Sequence, residues 1–281
     1  MASRLHVAVA RGDGRILVTD SLTYCDASVT THDVVVSGSF AGTPAFGLAY
    51  EHGVRALVAH AAGVGKDSAG ISGLADADSR GIPAAAVETM SACIGDGTSV
   101  WREGVIAYAN ALARALGVTI GMPAATAARR LLDGPSGHAV PGIVNRTQRT
   151  ALETPAGCAV LMMSTSFVTR ANARDVICAG SHGGHVNTRP VLKTPPRAVI
   201  AFDGGMARAY SGIAGLSSLD AHDIAAAAVA SASARIGDPE SAWSTGTLSF
   251  VNRCARDRGL VAGMTVCAAA ETLLSTWTVE R

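Results

Sequence analysis

SACIGDGTSVW, residues 91–101, is answered at residues 233–243 by SARIGDPESAW, with Ser, Ala, Ile, Gly, Asp, Ser and Trp at matching places. The offset of 142 residues then links Gly38 to Gly180, Arg55 to Arg197, Gly63 to Gly205, Gly70 to Gly212, Asp78 to Asp220, Asn110 to Asn252 and Met122 to Met264. It runs without a gap from Asp33 to Leu132, and about a third of the positions in that span are identical, against roughly a tenth expected by chance in so Ala- and Gly-rich a chain. Upstream, RILVTDSLT (15–23) and CAVLMMSTS (158–166) correspond as first strands, with one extra residue in the first copy. The chain is therefore read as a first α/β repeat over 1–132, a Gly- and Pro-rich linker over 133–145 and a second α/β repeat over 146–281. Solenoid units are about 20–50 residues long, so each of these repeats is domain-sized. A fused homodimer is the simplest origin, which leads to the expectation of a pseudo-two-fold relation between the halves.

Inside the first repeat, DVVVSGSF, VRALVAHAAG and IPAAAVETMSA are apolar runs of strand character. Between them TPAFGLAYEHG and ISGLADADSRG read as helices, the first opened by Thr43 and Pro44 and closed by Gly53, the second closed by Gly81. SVWREGVIAYANALARALG reads as one long helix over 99–117 and VTIGM as a last strand over 118–122. Apolar strands alternating with helices predict an α/β fold with mainly parallel sheets. Ligands of such sheets gather in the loops past the carboxyl ends of the strands.

Composition removes several classes of function. A formal net charge of +1 without a Lys/Arg cluster argues against nucleic acid. No apolar run approaches the ~20 residues that span a bilayer, and no charged region followed by a long apolar core marks a secretory signal. The expected location is the cytoplasm. The six cysteines form neither a C-x-x-C pair nor a zinc-like Cys/His spacing. No metal and no cofactor are expected, and GVGKDSAG (63–70) departs from a phosphate-binding Walker loop because Asp67 follows Lys66.

Residues shared by the copies read as structural. Asp96 and Asp238 stand where a carboxylate caps a helix, and Trp101 and Trp243 anchor its first turn. Ser39 and Ser181 recur in matching turns with no nucleophile elbow around them. The divergent loop residues carry the functional expectation. GSFAGT becomes GSHGGH, adding His182 and His185; HAAGVGKDS becomes FDGGMARAY, so that His60 is replaced by Phe202, Ala61 by Asp203, Lys66 by Arg208 and Asp67 by Ala209; Cys93 becomes Arg235. His182 and His185 with Asp203 could in principle ligate a divalent ion, a weaker reading in a loop.

The sequence thus leads to the expectation of an enzyme with one composite site between the halves, acting on a small anionic substrate. His182 would move a proton, Asp203 would orient it, and Lys66 and Arg235 would hold the anion. Ser39, Gly63, Gly65, Asp67, Ser181, Gly183 and Gly184 would line the substrate, with the Gly183 and Gly184 amides facing a developing oxyanion. Cys93, just before a helix, is the candidate nucleophile. Hydrolysis of an amide, lactam or ester fits this inventory best. An isomerase or racemase and a non-catalytic metabolite-binding protein are the alternatives, and a homo-oligomer is compatible with all three.

Overall fold

The computed structural model describes residues 5–141 and 143–277. The outer ends of both repeats (1–4 and 278–281) and Gly142 of the expected linker lie outside the described residues. The chain forms two compact units, one of Met1–Val64, Ser68–Val144 and Ala207–Ala209, the other of Gly65–Asp67, Asn145–Met206 and Tyr210–Arg281.

The first unit contains β1 (Leu5–Arg11), β2 (Gly14–Thr19), β3 (Asp33–Phe40), β4 (Ala56–His60), β5 (Ala84–Val87) and β6 (Ile106–Ala109), hydrogen-bonded in that order as one sheet. The inner pairings β2–β3, β3–β4 and β4–β5 are parallel, while the outer pairings β1–β2 and β5–β6 are antiparallel. Its helices are α1 (Thr43–Tyr50), α2 (Gly73–Ser79), α3 (Gly97–Glu103), α4 (Ala111–Ala115) and α5 (Ala124–Leu131). The second unit repeats the plan with β7 (Gln148–Thr154), β8 (Gly157–Met162), β9 (Val176–His182), β10 (Ala198–Phe202), β11 (Ala225–Val229) and β12 (Leu248–Val251), again a single six-stranded sheet with parallel inner pairs. Its helices are α6 (His185–Lys193), α7 (Ala214–Ser218), α8 (Pro239–Thr245), α9 (Arg253–Arg256) and α10 (Val266–Ser275). The fold is α/β, with two similar halves.

The inner strands read as unbroken apolar runs because both of their faces are covered. Val34, Val35 and Val36 of β3 and Ala84, Ala85 and Ala86 of β5 are each fully buried. Asp96 accepts a hydrogen bond from the Ser99 amide at 2.9 Å, and Asp238 one from the Ser241 amide at 2.9 Å, so both carboxylates cap their helices. At α1 the cap is Gly42, and Thr43 is the first helical residue.

Three expectations are corrected. The helix over 99–117 is instead α3, the edge strand β6 and α4. The break falls at Gly104, where an added Cβ would lie 2.4 Å from the Val100 carbonyl oxygen. Asn110 then closes β6: its Oδ1 accepts from the Ala84 amide at 3.0 Å and the Ala113 amide at 2.9 Å, while its Nδ2 donates to the Ile82 oxygen at 2.9 Å. Asn252 does the same with Ala226, Ala255 and Ile224, each at 2.9 Å. A second correction concerns residues 118–122, which form a turn in place of a strand, held by the Ile106 amide to the Met122 oxygen and the Gly121 amide to the Ile106 oxygen, both 2.8 Å. Third, each sheet carries an extra antiparallel edge, β1 and β7, ahead of the strand expected to come first. Residues 133–141 run along the first unit, with the Gly137 amide bonded to the Thr31 oxygen and the Val140 amide to the Tyr50 oxygen, both at 2.8 Å.

Candidate functional site

The loops that leave β4 and β10 hold the least ordinary backbone of the described residues. From Ala62 to Ser68 every residue but Lys66 has positive φ: Ala62 50°, Gly63 77°, Val64 60°, Gly65 71°, Asp67 53° and Ser68 56°. From Gly204 to Tyr210 every residue but Arg208 does the same: 57°, 67°, 61°, 55°, 53° and 55° in order. A left-handed residue other than Gly costs about 1–2 kcal/mol, and a β-branched one such as Val64 is rarer still. Conformations of this kind persist only where the surroundings over-determine them, and they gather at functional sites.

Each loop is held by a buried acceptor near the end of the preceding strand. In the first unit that acceptor is His60, fully buried. Its Nδ1 accepts from the Ala62 amide at 3.0 Å, so the proton sits on Nε2, which donates toward the Thr89 oxygen at 3.1 Å and the Ala92 oxygen at 3.0 Å. Burial pushes the imidazole below its ordinary pKa. The Gly63 amide adds a bond to Thr89 Oγ1 at 2.9 Å. In the second unit Asp203 takes over. Its Oδ1 accepts from the Gly205 amide at 3.0 Å, the Ser231 amide at 3.0 Å and the Ser231 hydroxyl at 2.6 Å, and its Oδ2 from the Ser249 hydroxyl at 2.9 Å.

The tips of the loops carry the cations. Residues 65–67 belong to the second unit. There the Lys66 amide donates to the Ser231 oxygen at 2.8 Å, and the ammonium donates to Thr245 Oγ1 at 3.0 Å and to the Ser233 oxygen at 3.3 Å. Gly65 is required at that approach, since its φ is positive and a Cβ would stand 2.7 Å from the Ser231 oxygen. Beside it, Arg235 Nη1 meets Asp67 at 3.2 Å and Nη2 meets Asp238 at 2.9 Å. These hydrogen bonds, Asp238 first and then Asp67, raise the pKa of the exposed guanidinium. Residues 207–209 belong to the first unit, where Arg208 Nη1 lies 3.2 Å from the Ser91 oxygen and 3.3 Å from Glu103 Oε2. Ser91 and Glu103 are the 142-offset counterparts of Ser233 and Thr245, so the two cations meet matching positions.

The structure therefore brings Lys66, Asp67, Gly65 and Arg235 together in the second unit. It gives other work to several remaining candidates. Asp203 has both oxygens occupied by donors. His182 is 3% exposed, and its Nδ1 accepts from the Gly184 amide at 3.1 Å. The Gly183 amide donates to the Phe202 oxygen at 2.8 Å, so neither glycine amide of that turn points at an open oxyanion position here. Ser39 Oγ accepts from the Leu22 amide at 2.9 Å and Ser181 Oγ from the Thr165 amide at 3.3 Å, a shared turn role. Cys93, partly exposed, directs its thiol to the Arg208 carbonyl oxygen at 3.6 Å in the first unit. Desolvation pushes the Cys25 and Cys178 thiols up to about 12; Cys178 is an inert core sulfur, while Cys25 is only partly buried.

Sequence reasoning passed over His60, Ser231, Ser233, Thr245 and Glu103. A signal for His60 was present: Phe40 pairs with His60 across β3 and β4, and Phe202 pairs with His182 across β10 and β9. Two separate differences between the copies are thus one exchange of partners. Among the described residues no group of three or more His, Cys, Asp or Glu side chains is arranged to hold a metal ion. In comparisons with protein-family models, curated proteins and solved structures, nothing matches this chain.

Proposed function

We propose that this protein recognises a small anionic metabolite at the loop tip of the second unit, with the Lys66 ammonium as its principal contact. The observation that carries this reading is the company Lys66 keeps. Two of its three N–H groups go to neutral oxygens, the Ser233 carbonyl and the Thr245 hydroxyl. Among the described residues no carboxylate forms an ion pair with it, whereas Arg235 alongside is already matched by Asp67 and Asp238. A cation left with a donor to spare, on a strained loop at the carboxyl end of a parallel strand, has the features of an anion subsite.

A hydrolytic reading is narrower and rests on the 3.0 Å contact between Lys66 Nζ and Thr245 Oγ1. A Lys amine beside a hydroxyl is one of the arrangements that activate an oxygen nucleophile. It requires the neutral amine and a reversal of that bond, in which Lys66 is the donor while the Thr245 hydroxyl donates toward the Ser233 and Ser241 oxygens at 3.0 and 3.1 Å, and it moves the chemistry away from His182 and Asp203.

Isothermal titration with inorganic phosphate and with malonate tests the binding reading. A site built on one half-buried ammonium is expected to bind with Kd of about 1 mM. Lys66→Met keeps the aliphatic stem and removes the charge, and should weaken binding at least about tenfold, or 1.4 kcal/mol, with the unfolding midpoint little changed. Equal affinity in the natural protein and K66M would remove Lys66 from the site.

A further inference from the structure

The two loop tips share a backbone plan but do not carry the same charges, and one of the differences stands directly against the cation. In the second unit the cation faces Thr245, the last residue of α8. In the first it faces Glu103, the last residue of α3, at the position 142 residues earlier. Around that position the tips agree in some features and differ in others: the cation is Lys66 in one and Arg208 in the other, and the paired Arg235 and Asp67 of the second unit correspond to Cys93 and Ala209 of the first. Each cation also meets a serine carbonyl, Ser233 for Lys66 and Ser91 for Arg208. Each stands in a run of positive φ that it alone interrupts. Each helix starts from a capping aspartate, Asp238 or Asp96.

We infer that Glu103 silences the first of two corresponding anion subsites, so that the chain binds one anion and not two. The carboxylate sits where a ligand carboxylate or phosphate would sit against Arg208, and Ser99 donates to its Oε2 at 2.6 Å, which holds it in place. An intramolecular carboxylate at 3.3 Å is present at high effective concentration, and an external anion has to displace it. Arg208 in its turn is a fork-shaped donor able to bind a carboxylate or phosphate through two N–H groups, once that partner is removed. Thr245, by contrast, accepts from Lys66 and adds no charge.

This inference rests on the anion-binding reading of Lys66, and the experiment separates the two. Inorganic phosphate is titrated calorimetrically into the full chain, into Glu103→Thr, which copies the second unit, and into Glu103→Gln, which keeps the shape of the side chain and its hydrogen bonding to Ser99 should the threonine variant fail to fold. Thr245→Glu gives the converse. The expected stoichiometry is one per chain for the natural protein, two for E103T or E103Q, and none for T245E. One phosphate on the natural chain and still one on both Glu103 variants overturns the role of Glu103 while leaving Lys66 in place. Two phosphates on the natural chain overturn it as well. No saturable binding to any of the four proteins overturns both readings together.

Discussion

Replacing Asp203 by Ala distinguishes a carboxylate that works on a ligand from one that ties the fold. Its side chain is 6% exposed and accepts hydrogen bonds from the Gly205 amide, the Ser231 amide, the Ser231 hydroxyl and the Ser249 hydroxyl. A hydrogen bond to a charged group contributes about 1.5–3 kcal/mol net. The four contributions do not simply add, because they share one carboxylate and Ser231 supplies two of the donors. Removal also relieves the cost of keeping that charge out of water. The expected loss for D203A is therefore about 3–5 kcal/mol. Asn keeps one accepting oxygen and can donate to Ser249 from its nitrogen, so D203N should lose about 1–2 kcal/mol. Urea unfolding followed by circular dichroism measures both losses, and the Ala variant should melt about 10 °C lower. If D203A unfolds within about 1 kcal/mol of the natural protein, the hydrogen bonds that close the loop of residues 204–210 do not stabilise it, and the assignment of Asp203 as its tie is refuted.

Gly65→Ala places a methyl group 2.7 Å from the Ser231 oxygen at a φ of 71°, and a loss of about 2–4 kcal/mol is expected from backbone strain and overpacking together; an unchanged thermal midpoint would contradict the close approach. His60 makes stability depend on pH in a defined direction. Its folded pKa lies below the unfolded value of about 6.5, so the unfolded chain binds more protons once pH falls below that value. The His60 contribution is complete above pH ~6.5 and is lost on acidification, at up to about 1.4 kcal/mol per pH unit, until the folded imidazole also takes up its proton. Urea midpoints measured between about pH 5 and 7 should fall with pH for the natural protein and fall less steeply for His60→Gln; identical slopes would exclude His60 as the source.

The helix caps were legible because a cap is a local event. Asp96 and Asp238 each bond an amide three residues ahead, a relation that the spacing of residues carries directly. The strand β6 was not legible from its own repeat, since Ile106–Ala109 between two helical stretches has no period that distinguishes it from helix. Its counterpart, Thr247-Leu-Ser-Phe-Val251 after Gly246, is rich in β-branched and aromatic residues and marks the strand, so aligning the copies resolves what one copy hides. Asn110 and Asn252, identical at the end of that strand, bond amides and carbonyls far away in sequence. Their identity reflects that shared structural work.

The sequence by itself determined that the chain is written twice, that both halves alternate strand and helix, and that matching loops of the two copies differ in particular polar residues. Those properties follow from composition and spacing along one dimension. Only the tertiary structure decided that residues 65–67 belong to the second unit and 207–209 to the first, that Lys66 meets a hydroxyl where Arg208 meets a carboxylate, and that Asp203, His182 and the Gly183 and Gly184 amides are engaged in hydrogen bonds within the protein. The reason is physical: whether a titratable group is available for chemistry depends on which donors and acceptors surround it after burial, and those partners come from residues up to 179 positions away along the chain.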